Sequence, residues 1–278
     1  MSKQVLVIGA NGTIGQHTVA YLVAQGVAVK AASRSGKAPT GAEGVVFDYT
    51  EPTDFDALFA NVSSVYVMVP AGYLNVQELL TPIITEAAKR KVKVVLQTAI
   101  GVDADESIPY RQVELALERS GTPYVILRPN WFADNFHTYW LHGVQTGTIA
   151  VPAGEGKSSF IDVRDIAASA AAALTHDQFN GQAFNLTGPE ALSYGEAAAV
   201  LSQALGRGIN YQALDDASFV NGLVAAGVPE DYAKFLAFLF YPVRENWTAG
   251  VTTAVKTLTG QEPRSLATYV EDNLAKFA

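Results

Sequence analysis

The chain contains no cysteine. That excludes disulfides, thiolate nucleophiles and Cys-ligated zinc. Histidine is scarce and scattered, at His17, His137, His142 and His176. His137 and His142 stand five residues apart, a spacing that stacks poorly on a helix, and no carboxylate completes a ligand set, so no metal is expected. No G-x-S-x-G occurs, so a serine nucleophile elbow is absent. No apolar run approaches the ~20 residues needed to span a bilayer. Met1-Ser2-Lys3-Gln4 runs straight into a strand-like pattern, leaving no room for a signal peptide, so a cytoplasmic protein without a membrane role is expected. Lysine and arginine form no cluster, and the formal net charge is −8, which argues against a nucleic-acid partner. Between Gln16 and Ala42 there is no acidic residue at all.

What is present is apolar material and glycine. With 278 residues, 49% of them hydrophobic, the chain can build one large domain, or a large and a small one. The stretch Val5-Leu6-Val7-Ile8-Gly9-Ala10-Asn11-Gly12-Thr13-Ile14-Gly15 organises the rest. Gln4–Ile8 has the continuous apolar character of a buried parallel strand. Gly9, Gly12 and Gly15 follow at three-residue steps. They let the backbone turn tightly and approach a ligand, because no Cβ intervenes. Free N–H groups at the start of the next helix then suit an anion such as a diphosphate. The G-x-x-G-x-x-G spacing departs from the usual G-x-G-x-x-G, but its place after the first strand is where a dinucleotide's pyrophosphate sits.

Downstream, strands alternate with helices. A helix over Ile14 to Gln25 stops at Gly26, and Val27–Ala32 is a second strand. Its end reads Lys30-Ala31-Ala32-Ser33-Arg34-Ser35-Gly36-Lys37. An acid at this point would accept from a ribose 2′-hydroxyl, whereas an Arg accommodates a 2′-phosphate. Arg34 can fork onto a phosphate, with Ser33 or Ser35 adding a hydroxyl and Lys37 a charge, so NADP(H) is expected over NAD(H). Val45–Phe47 forms a third strand ended by Asp48-Tyr49, where Asp48 either accepts from an adenine amino group or caps the next turn. Thr53 or Asp54 starts a helix. Val62–Val69 is a strand closed by Pro70-Ala71-Gly72, with Tyr73 beside it. Val76 to Arg90 is a helix, Val92–Ala99 a strand, and Pro109 sits in the first turn of a helix reaching Ser120. Tyr124–Arg128 is the sixth strand. This alternation indicates an α/β fold with a doubly wound parallel sheet of Rossmann type.

After Arg128 the texture changes to aromatics and amides, from Asn130 to Trp140. Two readings stand here: a buried aromatic helix, or a cleft wall in which Trp131, Asn135 and Phe136 meet a planar substrate. Val151–Lys157 is a turn-rich loop, Gln182–Leu186 another strand, and Ser193 with Glu196 forms a capping box. From Asp215 on the chain is mostly helical and suits a small lid. The expected division is 1–150 as the NADP-binding domain, 160–187 returning to it, and 188–278 as a smaller substrate-binding or lid domain.

Gly9–Gly15, Arg34, Asp48-Tyr49, Leu127-Arg128-Pro129-Asn130-Trp131-Phe132, Phe160–Ala167, Leu186–Glu190 and Gly260–Arg264 together resemble the NmrA-like group of atypical short-chain dehydrogenases/reductases, over nearly the whole chain. Nearest in character are the NADPH-dependent quinone and triphenylmethane-dye reductases. The resemblance implies that Asn11, Thr13 and Ile14 touch the diphosphate and Arg34 the 2′-phosphate. It also implies that residues near Asp48, Tyr49, Val69 and Thr98 line the adenine and nicotinamide ends, and that a substrate cleft lies between two domains.

The chain departs from the wider superfamily at Tyr-x-x-x-Lys. Here the helix start reads Tyr110-Arg111-Gln112-Val113-Glu114, and residues four apart share a face, so Glu114 takes the lysine's place. A carboxylate there disfavours a tyrosinate by like charge. Tyr110 remains the candidate catalyst as a neutral proton donor. The expected function is NADPH-dependent hydride transfer to a small, conjugated, largely apolar acceptor such as a quinone or enone. Its own π-system spreads the incoming charge. The partner expected is a small-molecule substrate, and the oligomer considered is a homodimer. Two other functions fit the same residues: a non-catalytic NADP(H) sensor acting through a protein partner, and a non-redox isomerase or lyase.

Overall fold

The structure is a computed structural model that describes residues 3–278. Met1 and Ser2, the first residues of the leaderless start expected above, lie outside the described residues. In chain order the elements are β1 (Gln4–Ile8), α1 (Gly15–Ala24), β2 (Val29–Ser33), β3 (Glu43–Val46), α2 (Phe55–Phe59), β4 (Val62–Val67), α3 (Val76–Lys89), β5 (Lys93–Gln97), α4 (Pro109–Glu118) and β6 (Tyr124–Pro129). Then follow α5 (Leu141–Thr146), β7 (Thr148–Val151), β8 (Lys157–Ser158), α6 (Val163–Thr175), β9 (Gln182–Leu186), β10 (Leu192–Ser193), α7 (Tyr194–Leu205) and β11 (Asn210–Ala213). The chain closes with α8 (Asp216–Ala225), α9 (Glu230–Phe238), α10 (Tyr241–Arg244), α11 (Ala254–Thr259) and α12 (Leu266–Asp272). No helix among the described residues is long and apolar enough to cross a membrane.

The chain divides into two units. Unit 1 takes the residues up to Pro129, then Val163–Leu186 and Ala254–Gln261. Its sheet has the order β3-β2-β1-β4-β5-β6-β9, with every pair parallel. Strands β1, β4, β5 and β6 are almost continuously buried, as a sheet covered on both faces requires. Chain order reverses beside β1, whose neighbours are β2 and β4, and ligands of such sheets bind outside the carboxyl ends at that switch point.

A buried lysine closes one corner of unit 1. Lys30, on β2, donates from Nζ to the carbonyls of Ala60 at 2.9 Å, Ala57 at 3.2 Å and Leu58 at 3.4 Å. These are carbonyls at the C-terminal end of α2, where the helix runs out of N–H donors; only Ala57 O also accepts locally, from Ala60 N–H at 3.4 Å. The other end is capped by Asp54 Oδ1, which accepts from the N–H groups of Asp56 and Ala57. Lys30→Met keeps the apolar stem and removes the donor. Stability is expected to fall by about 1–3 kcal/mol, the usual range for buried acceptors left unpaired, as read from urea unfolding. A fall within 0.3 kcal/mol would show that water satisfies those carbonyls equally well.

Unit 2 takes Asn130–Asp162, Thr187–Thr253 and Glu262–Ala278. Residues 130–150, grouped above with the dinucleotide domain, are packed here instead, because their aromatic side chains belong to this unit's core. That core gathers Phe136, Phe160, Tyr194, Phe240 and Tyr269. The expected loop over Val151–Lys157 is flanked by two short strands. β7 pairs in parallel with β11, and β8 pairs antiparallel with β10. Both partners lie far along the chain, which local periodicity does not register. The Ser193–Glu196 capping box is present in both directions, at 3.1 and 2.8 Å.

Candidate functional site

The turn after β1 is shaped by backbone constraints. Gly9 has φ +75°, a conformation that favours glycine, and its N–H and that of Ala10 both donate to Ala32 O at 3.1 Å. Gly12 N–H donates back to Gly9 O at 2.9 Å. Helix α1 then starts against this loop. A Cβ on Gly15 would lie 2.1 Å from Gly9 O and 2.8 Å from Gly9 C, so only glycine lets the helix pack here. The N–H groups of Asn11, Thr13 and Ile14 have no acceptor among the described residues, and no acidic side chain occupies the first turn of α1. This is a fixed set of donors at the positive end of a helix. A Cβ on Gly9 would meet nothing within 4 Å, so the turn is open on that face. The residues present therefore fit a diphosphate.

Registry between β1 and β2, with Ile8 beside Ala32, sets the end of β2 next to this turn. Asn11 Nδ2 and Ser33 Oγ both donate to Lys37 O at 2.8 Å, which ties the 33–37 loop to the glycine turn. Ser33's hydroxyl proton is thereby engaged, whereas Ser35 Oγ accepts from Lys37 N–H and keeps its own proton. Arg34 is exposed, and its guanidinium makes no hydrogen bond among the described residues. Asp48 Oδ1 accepts from Thr50 N–H at 2.9 Å and Thr50 Oγ1 at 2.8 Å, the turn-capping alternative considered above. Those bonds, with Arg34 adding a smaller attraction, hold its carboxyl below the ordinary aspartate range. Tyr49 donates its hydroxyl to Met68 O and stacks edge-on against Phe47, so it is a wall of the loop. Burial pushes its ionisation far up. Val69 faces the core of unit 1, so its side chain is directed inward. Tyr73 is exposed beside Gly72.

The carboxyl end of β5 holds an arrangement that the sequence did not suggest. Glu114 is fully buried, at 0% exposure. Its Oε1 accepts from Thr98 Oγ1 at 2.7 Å and Arg128 Nε at 2.9 Å. Its Oε2 accepts from Arg128 NH2 at 2.7 Å and Arg111 NH1 at 2.9 Å. Arg128 also reaches Asp103 Oδ2 with NH1 at 2.5 Å, and Arg111 reaches Glu118. Burial alone would raise the Glu114 carboxyl, but Arg128, Thr98 and Arg111 outweigh it and hold it below the ordinary range. The carboxylate that helix spacing sets four residues from Tyr110 is thus charge-paired. Two guanidinium groups neutralise the carboxylate, whose four acceptor positions are filled. Tyr110 itself is partly buried against the core of unit 1. The signal for this cluster in the sequence is an arginine inside the apolar run Tyr124–Pro129.

Of the residues expected to meet the substrate, Phe136 requires correction. It is 0% exposed in the core of unit 2, with ring centroids 4.9 Å from Trp140 and 5.1 Å from Phe160. Aromatic burial won over exposure because Phe136 fills the centre of that cluster. Trp131 is half-buried in the same unit, 4.9 Å from Phe240 and 5.8 Å from Trp140. Asn135 accepts on its carbonyl from Trp140 N–H at 2.9 Å.

A parallel, doubly wound sheet with a glycine turn and open amides after β1 defines a Rossmann-type α/β protein. The model of the NmrA-like family matches residues 1–266, and the chain belongs to that family. The uncharacterized oxidoreductase YesF of Bacillus subtilis (strain 168) is 33% identical over 99% of this chain and 97% of its own length. An NAD(P)H azoreductase of Xenophilus azovorans is 32% identical over 98% of this chain and 99% of its own. Among solved structures, the NADPH-dependent quinone oxidoreductase QOR2 of Escherichia coli, complexed with NADPH, matches with a TM-score of 0.86. It covers 98% of this chain and 100% of that one at 21% identity, a likeness of fold.

Proposed function

We propose that this protein is an NADPH-dependent reductase that delivers a hydride to a small, conjugated, largely apolar acceptor such as a quinone or enone. As a member of its family, with full-length relatives named oxidoreductase and azoreductase, the chain is an NAD(P)H-dependent oxidoreductase. The observation that carries the finer reading is the pairing of N–H donors at Asn11, Thr13 and Ile14, without acceptors among the described residues, with an exposed Arg34 whose guanidinium makes no hydrogen bond among them, and no acid at the end of β2. The first set grips a diphosphate, and the second forks onto a 2′-phosphate.

The bound nicotinamide supplies the hydride. Glycines 9, 12 and 15 fix the turn that positions the diphosphate, and Arg34 selects the phosphorylated ribose. Tyr110 is the proposed proton donor in its neutral form. No lysine stands four residues on to favour its anion, since that place belongs to Glu114, an ionised carboxylate paired with arginines. An acceptor that delocalises charge over its own π-system needs less from a positioned acid than an isolated ketone does. That is why a conjugated acceptor fits this chain. Tyr73, exposed beside the turn after β4, is a proposed acceptor contact.

The test mixes the protein with NADPH and panels of quinones, enones and unconjugated ketones, following absorbance of the reduced cofactor. Turnover is expected with the conjugated panels and to be at least tenfold slower with ketones. No turnover with any acceptor removes the catalytic reading. Arg34→Ala is expected to lower the preference for NADP⁺ over NAD⁺ by about 10- to 100-fold, the loss of one charge-assisted contact of about 1.5–3 kcal/mol. An unchanged preference in calorimetric titrations overturns the role given to Arg34.

A further inference from the structure

The cluster around Glu114 dictates which way one hydroxyl points. An ionised carboxylate only accepts hydrogen bonds. Thr98 Oγ1 lies 2.7 Å from Glu114 Oε1, so its single proton is directed at Glu114. The carboxylate is held in place from three sides, with Arg128 forming a two-point contact through Nε and NH2 and Arg111 binding Oε2. It cannot turn away, and the side chain is sealed from water. The hydroxyl oxygen of Thr98 keeps two lone pairs and accepts from no donor among the described residues. A hydroxyl that donates to an anion is also polarised and becomes a better acceptor. Its backbone is fixed as well, since Thr98 N–H donates to Leu127 O at 2.9 Å. The following loop is held by Ile100 N–H on Pro129 O, at 3.1 Å, and by Asp103 on Arg128.

Thr98 stands just past the carboxyl end of β5, on the sheet edge where ligands of doubly wound folds bind, and it is 7% exposed. We infer that Thr98 is a one-way acceptor. Glu114 and Arg128 lock its proton inward, so that it binds an N–H or O–H donor on the reactive part of the ligand and is barred from donating to a carbonyl. Thr98 is then a specificity residue, and Glu114 and Arg128 are positioning residues. The inference rests on the dinucleotide reading above. Two donors share this chemistry, the amide N–H of the nicotinamide carboxamide and the hydroxyl of a reduced acceptor such as a hydroquinone.

The experiment compares wild type, Thr98→Val and Thr98→Ser. Valine keeps the shape and removes the hydroxyl, while serine keeps the hydroxyl. Calorimetry gives Kd for NADP⁺ and for its 3-acetylpyridine analogue, which has a methyl ketone in place of the amide. Inhibition by the hydroquinone product gives the second arm. If the carboxamide is the donor, Thr98→Val weakens NADP⁺ about tenfold and leaves the analogue within twofold, and Thr98→Ser restores NADP⁺ binding. If the reduced acceptor is the donor, Thr98→Val raises the product inhibition constant about tenfold with NADP⁺ binding unchanged. The inference is overturned if Thr98→Val, folded by its Tm, shifts none of the three by more than twofold, or weakens NADP⁺ and its analogue equally. Wild-type protein that binds neither dinucleotide overturns the cofactor reading instead, so the two failures are distinct.

Discussion

Gly15→Ala is expected to weaken NADP⁺ binding by about 100-fold or more and to destabilise unit 1. The added methyl group would lie 2.1 Å from Gly9 O, 2.8 Å from Gly9 C and 2.9 Å from Ala10 Cα. All three are backbone atoms, so no side chain can rotate out of the way. Either α1 retreats from the sheet or the turn opens. Both displace the N–H groups of Asn11, Thr13 and Ile14. Losing one or two charge-assisted hydrogen bonds at about 1.5–3 kcal/mol each accounts for the affinity change. Overpacking of this kind costs about 1–3 kcal/mol in stability, more when only backbone can yield. Calorimetric Kd and urea unfolding measure the two effects. Gly195→Ala on α7 is the control, because its Cβ would meet nothing closer than 3.7 Å. A Gly15→Ala protein that binds NADP⁺ as wild type does would remove the diphosphate role of this turn.

The second large effect concerns Arg128. Arg128→Met leaves a fully buried carboxylate with only Thr98 and Arg111 as partners. Removing one partner of a buried ion pair typically destabilises by about 3–5 kcal/mol, because the other charge stays dehydrated. The double variant Glu114→Leu/Arg128→Met should recover much of that loss, since well-packed apolar pairs often replace buried ion pairs at little cost. If the double variant is as unstable as the sum of the singles, the two residues do not act as a pair.

The same pair sets a pH dependence. The folded-state pKa of Glu114 lies below its value in the unfolded chain, so protonation favours unfolding. Its contribution is fully present above about pH 4.5, the ordinary carboxyl value, and is lost as pH falls through the lowered folded value. Wild-type Tm should therefore decline on acidification below that point. In Arg128→Met the balance reverses, because burial then dominates and raises the carboxyl. Acidification should relieve that variant, and its Tm should fall less steeply than wild type's, or rise. Parallel Tm curves for the two proteins would contradict the assigned cause.

Much of unit 1 was legible in the amino-acid sequence. Strands β1, β5 and β6 are short, mostly apolar runs, and the longer helix α3 carries apolar residues at helical spacing. Gly26 takes a positive φ angle just past α1, as its position suggests. The glycine turn and the acid-free stretch before Arg34 are local too, since covalent geometry and charge act within a few residues. Side-chain pairing across the chain was not legible. Helix geometry alone sets Glu114 beside Tyr110, whereas its carboxylate meets Arg128 on β6 and Thr98 just past the end of the neighbouring β5. In the sequence Phe136 suits both a core and a ligand wall, and only packing against Phe160 and Tyr194 decides between them.

The alternation of strand and helix, the first turn and the charge at the end of β2 follow from the sequence by itself, because each depends on neighbours along the chain. The place of β9 beside β6, the gathering of residues 130–150 into unit 2 and the locking of Thr98 were decided by tertiary structure. Each of these depends on which distant residues exclude water together, and one-dimensional spacing does not contain that information.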